Sequence, residues 1–191
     1  MPRKEKKSKW GAVLVFFIAF IMISSIAGFL YSGETDQFRY NDVKFIRTQS
    51  GWSAVINSNR IIFDYFPSEV EGIEVSQDIL NLLSNKAEID TTSIVNDTFL
   101  EEIALAQYNM NQALASSNIY LRGGFTTNST FNAPIITCED ATQSVPIIFF
   151  KRSNQTQVKL ENNCIIAEAR NSYDILRIKD RLVYSILGII G

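Results

Sequence analysis

The spacing of apolar residues divides the chain into unlike parts. From Trp10 to Tyr31 the sequence WGAVLVFFIAFIMISSIAGFLY runs 22 residues without a charge. As a helix rising ~1.5 Å per residue it reaches about 33 Å, enough to cross a ~30 Å hydrocarbon core. Trp10 and Tyr31 stand at its two ends, where amphipathic rings favour the headgroup level. From residue 38 onward the pattern changes to short apolar runs broken by polar turns, which predicts a folded domain.

Residues 32–37, SGETDQ, read as a polar linker. Phe38–Arg47, Trp52–Ile56 and Arg60–Phe66 are rich in β-branched and aromatic residues. Gln49-Ser50-Gly51 and Asn57-Ser58-Asn59 separate them, so an antiparallel meander is predicted, ended by Pro67. Ser68–Glu71 and Thr98–Glu101 have the S/T-x-x-E spacing of a capping box. Helices are predicted over Ser76–Lys86 and Phe99–Ser116. In the second, Leu100, Ile103, Ala104, Gln107, Met110 and Leu114 recur at three- and four-residue spacing. Strands at Ala87–Ser93 and Ile119–Phe125 flank that helix and make a βαβ unit. The last third offers four short strands, Pro134–Cys138, Val145–Lys151, Gln157–Leu160 and Cys164–Ala169. A final helix, capped by Asn171 or Ser172, runs to about Leu187 and stops at Gly188. The expected fold class is α+β: an N-terminal transmembrane helix, then one domain with a single mixed sheet and about three covering helices.

Charge orients this picture. Residues 1–9 hold five basic side chains against Glu5, whereas residues beyond 31 hold 13 Lys/Arg against 19 Asp/Glu. The positive-inside rule then predicts a basic cytoplasmic tail at 1–9, a transmembrane helix at 10–31 and an extracytoplasmic domain at 38–191 of a single-pass cell-membrane protein. A buried helix of a soluble protein fits poorly behind a lysine cluster. Cleavage after Ala27 is the competing reading, since Ser25-Ile26-Ala27 puts small residues at −3 and −1. The apolar run exceeds the usual h-region, which favours a retained anchor. An acidic outer domain disfavours nucleic acid as a partner.

The chain contains no His, which excludes Ser-His-Asp or Cys-His catalysis and His-ligated metals within it. Cys138 and Cys164, 26 residues apart, read as a structural disulfide joining the first and last strands of the final third. Asn96, Asn128 and Asn154 each open a glycosylation sequon. Glu139-Asp140 could serve a hard cation but reads better as a solvated loop. Glu69, Glu71 and Glu101-Glu102 read as helix N-terminal charges, and Arg122-Gly123-Gly124 as a flexible turn rather than an anion nest. Asp180-Arg181 reads as exposed polar residues on the last helix, while Trp52 and Phe149-Phe150 read as core. No catalytic, cofactor-binding or metal-ligating residue is assigned.

Several stretches carry a resemblance: Phe38-Arg39-Tyr40-Asn41, Phe63-Asp64-Tyr65-Phe66-Pro67, Cys138 with Ala141-Thr142 and Val145-Pro146, Asn163-Cys164-Ile165-Ile166, and Asp180-Arg181-Leu182-Val183-Tyr184 with Leu187-Gly188-Ile189. In these the chain resembles a small uncharacterised family of archaeal single-pass membrane-anchored proteins. The resemblance implies an archaeal source and an outward-facing anchored domain, with nothing catalytic.

The expected function is a non-enzymatic, membrane-anchored binding or assembly module outside the cytoplasm. Its partners would be the bilayer, through residues 10–31, and another envelope protein. The alternatives are an exported hydrolase that uses carboxylates or a Ser/Lys pair, and a small-ligand sensor subunit. The nine-residue tail is too short for a signalling domain, so a sensor would need a partner subunit.

Overall fold

The computed structural model describes residues 9–31 and 36–191. The basic tail up to Ser8 and linker residues 32–35 lie outside the described residues. The chain divides into two compact units, Met1–Asp36 and Gln37–Gly191.

In the first unit Lys9–Tyr31 forms one helix, α1. Its described side chains, Trp10, Gly11 and Val13–Ile26, are exposed. The continuous described stretch Val13–Ile26 reaches about 21 Å. Among the described residues no helix is long and apolar enough to cross a membrane. The expected transmembrane helix thus finds a helix at its place, but no span in the described part of it.

The second unit opens with the expected meander, with one strand more than expected. Strands β1 (Gln37–Tyr40), β2 (Val43–Thr48), β3 (Gly51–Ile56) and β4 (Asn59–Phe63) pair antiparallel in chain order. The run Phe38–Arg47 is split because Asn41 takes a positive φ and turns the chain within two residues. Asn57 and Ser58 do the same between β3 and β4. Gly51 has φ +126°, and a Cβ there would sit 2.2 Å from the Phe63 carbonyl oxygen, so only glycine fits. Alternation sends Phe45, Trp52, Ala54, Ile61 and Phe63 to the buried face.

Two short helices follow, α2 (Pro67–Val70) and α3 (Gln77–Leu83). The Glu69 carboxylate accepts from the Phe66 N–H at 2.6 Å, so the cap at α2 is set by Glu69 and not by the Ser68–Glu71 pair. Then β5 (Glu88–Ser93), α4 (Leu100–Ala115) and β6 (Tyr120–Phe125) form the expected parallel βαβ unit. At the start of α4 the Asp97 carboxylate, rather than Thr98, accepts from the Phe99 N–H at 2.8 Å. Strands β7 (Ile147–Arg152), β8 (Gln157–Glu161) and β9 (Cys164–Ala169) precede the last helix, α5 (Ser172–Ile186). The Asn171 side chain caps α5 by accepting from the Asp174 N–H at 3.0 Å.

The single mixed sheet of the expectation is two sheets. The second has the order β6-β5-β7-β9-β8, with only the β8–β9 hairpin antiparallel. Helix α5 packs on β9, while its Tyr184 ring stacks on Phe63 of the meander with centroids 4.3 Å apart. The helices therefore lie between the sheets, and one continuous apolar core joins both to α4 and α5.

On the other face of the parallel sheet, the covering residues within Gln37–Gly191 come from a loop. Ile147, Cys164 and Ile166 are covered there by the segment between β6 and β7, through Ile136. Pro134–Cys138, expected as a strand, makes one isolated bridge, Phe125 with Ile135, and then a 3-10 turn at Cys138–Asp140. Cys138 and Cys164 are disulfide-bonded. The bond ties that turn to β9 rather than strand to strand. The Thr92 hydroxyl donates to the Ile136 carbonyl at 2.7 Å and pins the same segment. Both apolar clusters lie wholly within Gln37–Gly191, so this unit has its own complete core.

Candidate functional site

A cleft of 440 Å³ lies between β4 and α4 in the second unit. Arg60, Ile62 and Asp64 line one wall, and Tyr108, Asn109 and Gln112 line the other. Residues 108, 109 and 112 fall on one side of α4 by its 3.6-residue repeat. The far end of the cleft is held by the β3–β4 turn, where the Asn59 amide donates to the Ser116 carbonyl at the C-terminus of α4 at 3.3 Å. Tyr108 is 61% exposed, enough to offer a ring face to a ligand. Among the described residues, the side chains of Arg60, Tyr108, Asn109 and Gln112 make no hydrogen bond to the protein, so their donors and acceptors remain available.

Asp64 anchors the near end. Its Oδ2 accepts from the Lys179 ammonium at 2.6 Å. The same ammonium donates to Asp180 Oδ1 at 2.5 Å, and Asp180 Oδ2 accepts from the backbone N–H groups of Asp64 and Tyr65, both at 2.8 Å. Lys179 is 2% exposed and Asp180 fully buried, whereas the Asp64 side chain is 28% exposed toward solvent. Burial pushes the Asp180 carboxyl up to about 6, against the pull of Lys179. Burial works to lower the Lys179 ammonium, but Asp180 and Asp64 outweigh it and hold it above its ordinary value. Every polar atom of Lys179 and Asp180 toward the cleft is thus spent on protein partners.

The expectation that Asp180-Arg181 is exposed is corrected here. Asp180 is at 0% exposure and Arg181 at 4%. The Arg181 guanidinium donates to the Ile73 carbonyl at 3.0 Å and to Ser185 Oγ. Helix α5 is sandwiched between sheets, so its polar stripe faces protein instead of water. Charge at 179–181 inside an otherwise apolar helix face was the available signal, and it reads as amphipathic only if one side of the helix is open.

The remaining singled-out residues are scattered. Asn96, Asn128 and Asn154 are exposed. Glu139 and Asp140 do not converge with other ligands: the Asp140 carboxylate caps its own turn by accepting from the Thr137 N–H at 2.8 Å, which holds it below its ordinary value. Among the described residues no group of three or more acids or cysteines is placed to hold a metal ion. Arg122-Gly123-Gly124, expected as a flexible turn, instead lies inside β6 and pairs with β5, and Arg122 is committed to Asp90, donating through Nε at 2.9 Å and through Nη2 at 2.5 Å. Gly124 is needed for packing instead, since a Cβ there would meet the Pro134 carbonyl oxygen at 2.5 Å. Trp52 and Phe150 are core, and Phe149 is half-buried. Glu69 caps α2. Glu71 accepts from the Tyr40 hydroxyl at 2.6 Å. Glu101 and Glu102 lie in the first turn of α4.

No family model, no curated protein and no solved structure matches the chain. Any functional reading therefore rests on the geometry above.

Proposed function

We propose that the protein is a membrane-anchored, extracytoplasmic binding module whose partner, another envelope component, engages the cleft between β4 and α4. The observation that carries this reading is the division of labour at the cleft. Arg60, Asn109 and Gln112 face it with uncommitted hydrogen-bonding groups beside the exposed Tyr108 ring, while Asp64 in its wall closes on Lys179 and Asp180 behind it. Uncommitted polar groups around an aromatic suit recognition. A proton-transfer centre would need its acid or base free to reach the ligand, but Lys179 and Asp180 face only protein, and Asp64, the carboxylate in the cleft wall, is held by the Lys179 ammonium. This weighs against the carboxylate hydrolase and the Ser/Lys alternative.

Anchoring is supported by the uncharged run from Trp10 to Tyr31, by its continuous helix and by the basic tail before it. A helix apolar around its whole circumference needs an apolar surround, and a bilayer provides one. The bilayer is then the second partner, and the domain sits on the side away from the tail.

A photo-reactive residue in place of Tyr108 or Gln112, in intact membranes, tests the binding reading. The expected result is one discrete adduct, absent when the same group replaces Glu161 on β8. Recovery of monomer alone from all three positions would overturn it. Arg60 is left untouched, because it also belongs to the outward face of the meander.

A further inference from the structure

The outward face of the meander carries an unusual selection of residues. Strand alternation and the pairing register place Gln37, Arg39, Lys44, Ile46, Thr48, Ser53, Val55, Arg60 and Ile62 on the side opposite the core. Three of these are cations and none is an acid, in a unit whose 13 basic residues are outnumbered by 17 acidic ones. Arg39, Lys44 and Arg60 are exposed and have no ion-pair partner among the described residues. Val55, at 63% exposure, lies between Lys44 and Arg60, and Ile62, at 50%, lies two residues beyond Arg60 on the same strand. Lys44, Ile46, Ser53, Val55 and Arg60 also line a depression of 280 Å³ together with Val43 and with Asp42, its one acid. What sets the face apart is that every charge on it is positive in a unit that is acidic overall.

From this we infer that the outward face of the meander docks on an anionic lipid surface. The occupant follows from charge and from chain length. Cations flanking aliphatic side chains match phosphate headgroups above acyl chains, and Arg and Lys stems reach along an apolar surface while their heads stay polar. Only residues 32–36 separate the last residue of α1 from β1, a tether of at most about 22 Å even when fully extended. An anchored domain on so short a tether stays within reach of the headgroups. The rest of the acidic unit is repelled by an anionic surface, which leaves this face as the one that approaches. The location rests on the anchored reading above, whereas the lipid affinity of the face does not.

The test separates the two. Residues 36–191, which contain a complete core, are sedimented with vesicles of phosphatidylglycerol mixed into phosphatidylcholine, and with phosphatidylcholine alone. Binding is expected only to the anionic vesicles, weakening as salt rises. Each of Arg39→Ala, Lys44→Ala and Arg60→Ala should weaken it roughly fivefold, and the triple variant on the order of 100-fold. In the full chain, reconstituted into the same two lipids, a polarity-sensitive dye on Val55→Cys should shift to the blue in anionic lipid only. The same dye on Glu161→Cys should not move. Equal binding to both lipids, binding indifferent to the triple variant, or a lipid-independent dimer cross-linked through residue 55 would overturn the inference. If alkaline carbonate strips the full chain from membranes while residues 36–191 still bind anionic vesicles, the anchor fails and the face stands. If the chain resists stripping but the dye at 55 stays in water in anionic lipid, the anchor stands and the face fails.

Discussion

Lys179 of α5 donates to Asp64 at the end of β4 at 2.6 Å, across 115 residues of chain. The contact joins the last helix to the first sheet, and with Asp180 it forms a buried cluster of two carboxylates and one ammonium. Burying such a cluster gains little net stability, but breaking it costs a great deal, since an unpaired charge is left inside.

Lys179→Met should therefore destabilise the domain by about 3–5 kcal/mol. Asp180→Asn should cost less, because its amide oxygen still accepts from the N–H groups of Asp64 and Tyr65. Urea unfolding followed by tryptophan fluorescence checks both. Equal midpoints for wild type and Lys179→Met would show that the cluster is not coupled to folding.

Stability should fall steeply on the alkaline side. Lys179 is held above its ordinary value of 10.5, so the folded state keeps a proton that the unfolded chain has released. That contribution is intact below pH 10.5 and is lost as pH rises through the folded value. Tyr184 acts in the same direction: burial raises its hydroxyl above 10.0, and it donates to the Tyr65 carbonyl at 2.6 Å. On the acid side two groups oppose each other. Asp180, raised from 3.8 to about 6, gains a proton more readily in the fold, so that this group favours folding as pH falls through that window. At Glu168 burial works upward, but Lys159, Lys151 and Gln157 hold it below 4.5, and its contribution is lost as pH falls through the folded value. Melting temperature measured from pH 4 to 11 should show a shallow acid limb and a steep alkaline one.

Two adjacent glycines should respond differently to alanine. At Gly123 the nearest atom to an added Cβ is 3.7 Å away, ordinary contact, so the change should be nearly neutral. At Gly124 the Cβ would meet the Pro134 carbonyl and the Ile136 side chain under 3.0 Å. Gly124→Ala should cost about 1–3 kcal/mol. It should also raise hydrogen exchange in residues 134–137 before it does so in α5.

Reduction of the Cys138–Cys164 bond, or Cys138→Ser with Cys164→Ser, should cost roughly 3–4 kcal/mol for a loop of 26 residues. Far-UV circular dichroism should change little, because both sheets and α5 keep their packing. A reduced domain as stable as the oxidised one would refute this.

Much of the fold was legible in the chain, and the misses share a cause. The meander, the βαβ unit, α5 and its cap, and the disulfide follow from local signals: turn residues, periodicity and cysteine count. What failed depended on layers. Ala104, read as core, is exposed, while Ala106 and Ala113 are buried, because α4 meets both a sheet and α5. Asp180 and Arg181 read as solvent-facing because a helix was pictured with one sheet, and the structure gives it two. The cleft was invisible for a related reason. Arg60, Asp64, Tyr108 and Gln112 share no spacing and meet only when β4 docks beside α4.

The covering of the parallel sheet has a further consequence. One face is roofed by helices, which assemble by apolar contact anywhere. The other is roofed by a loop held by a covalent bond, a hydroxyl and a glycine-sized gap. The first roof closes by packing alone, whereas the second also depends on the redox state of two thiols. A reductant therefore acts on one side of the sheet and leaves the other side's packing as it was.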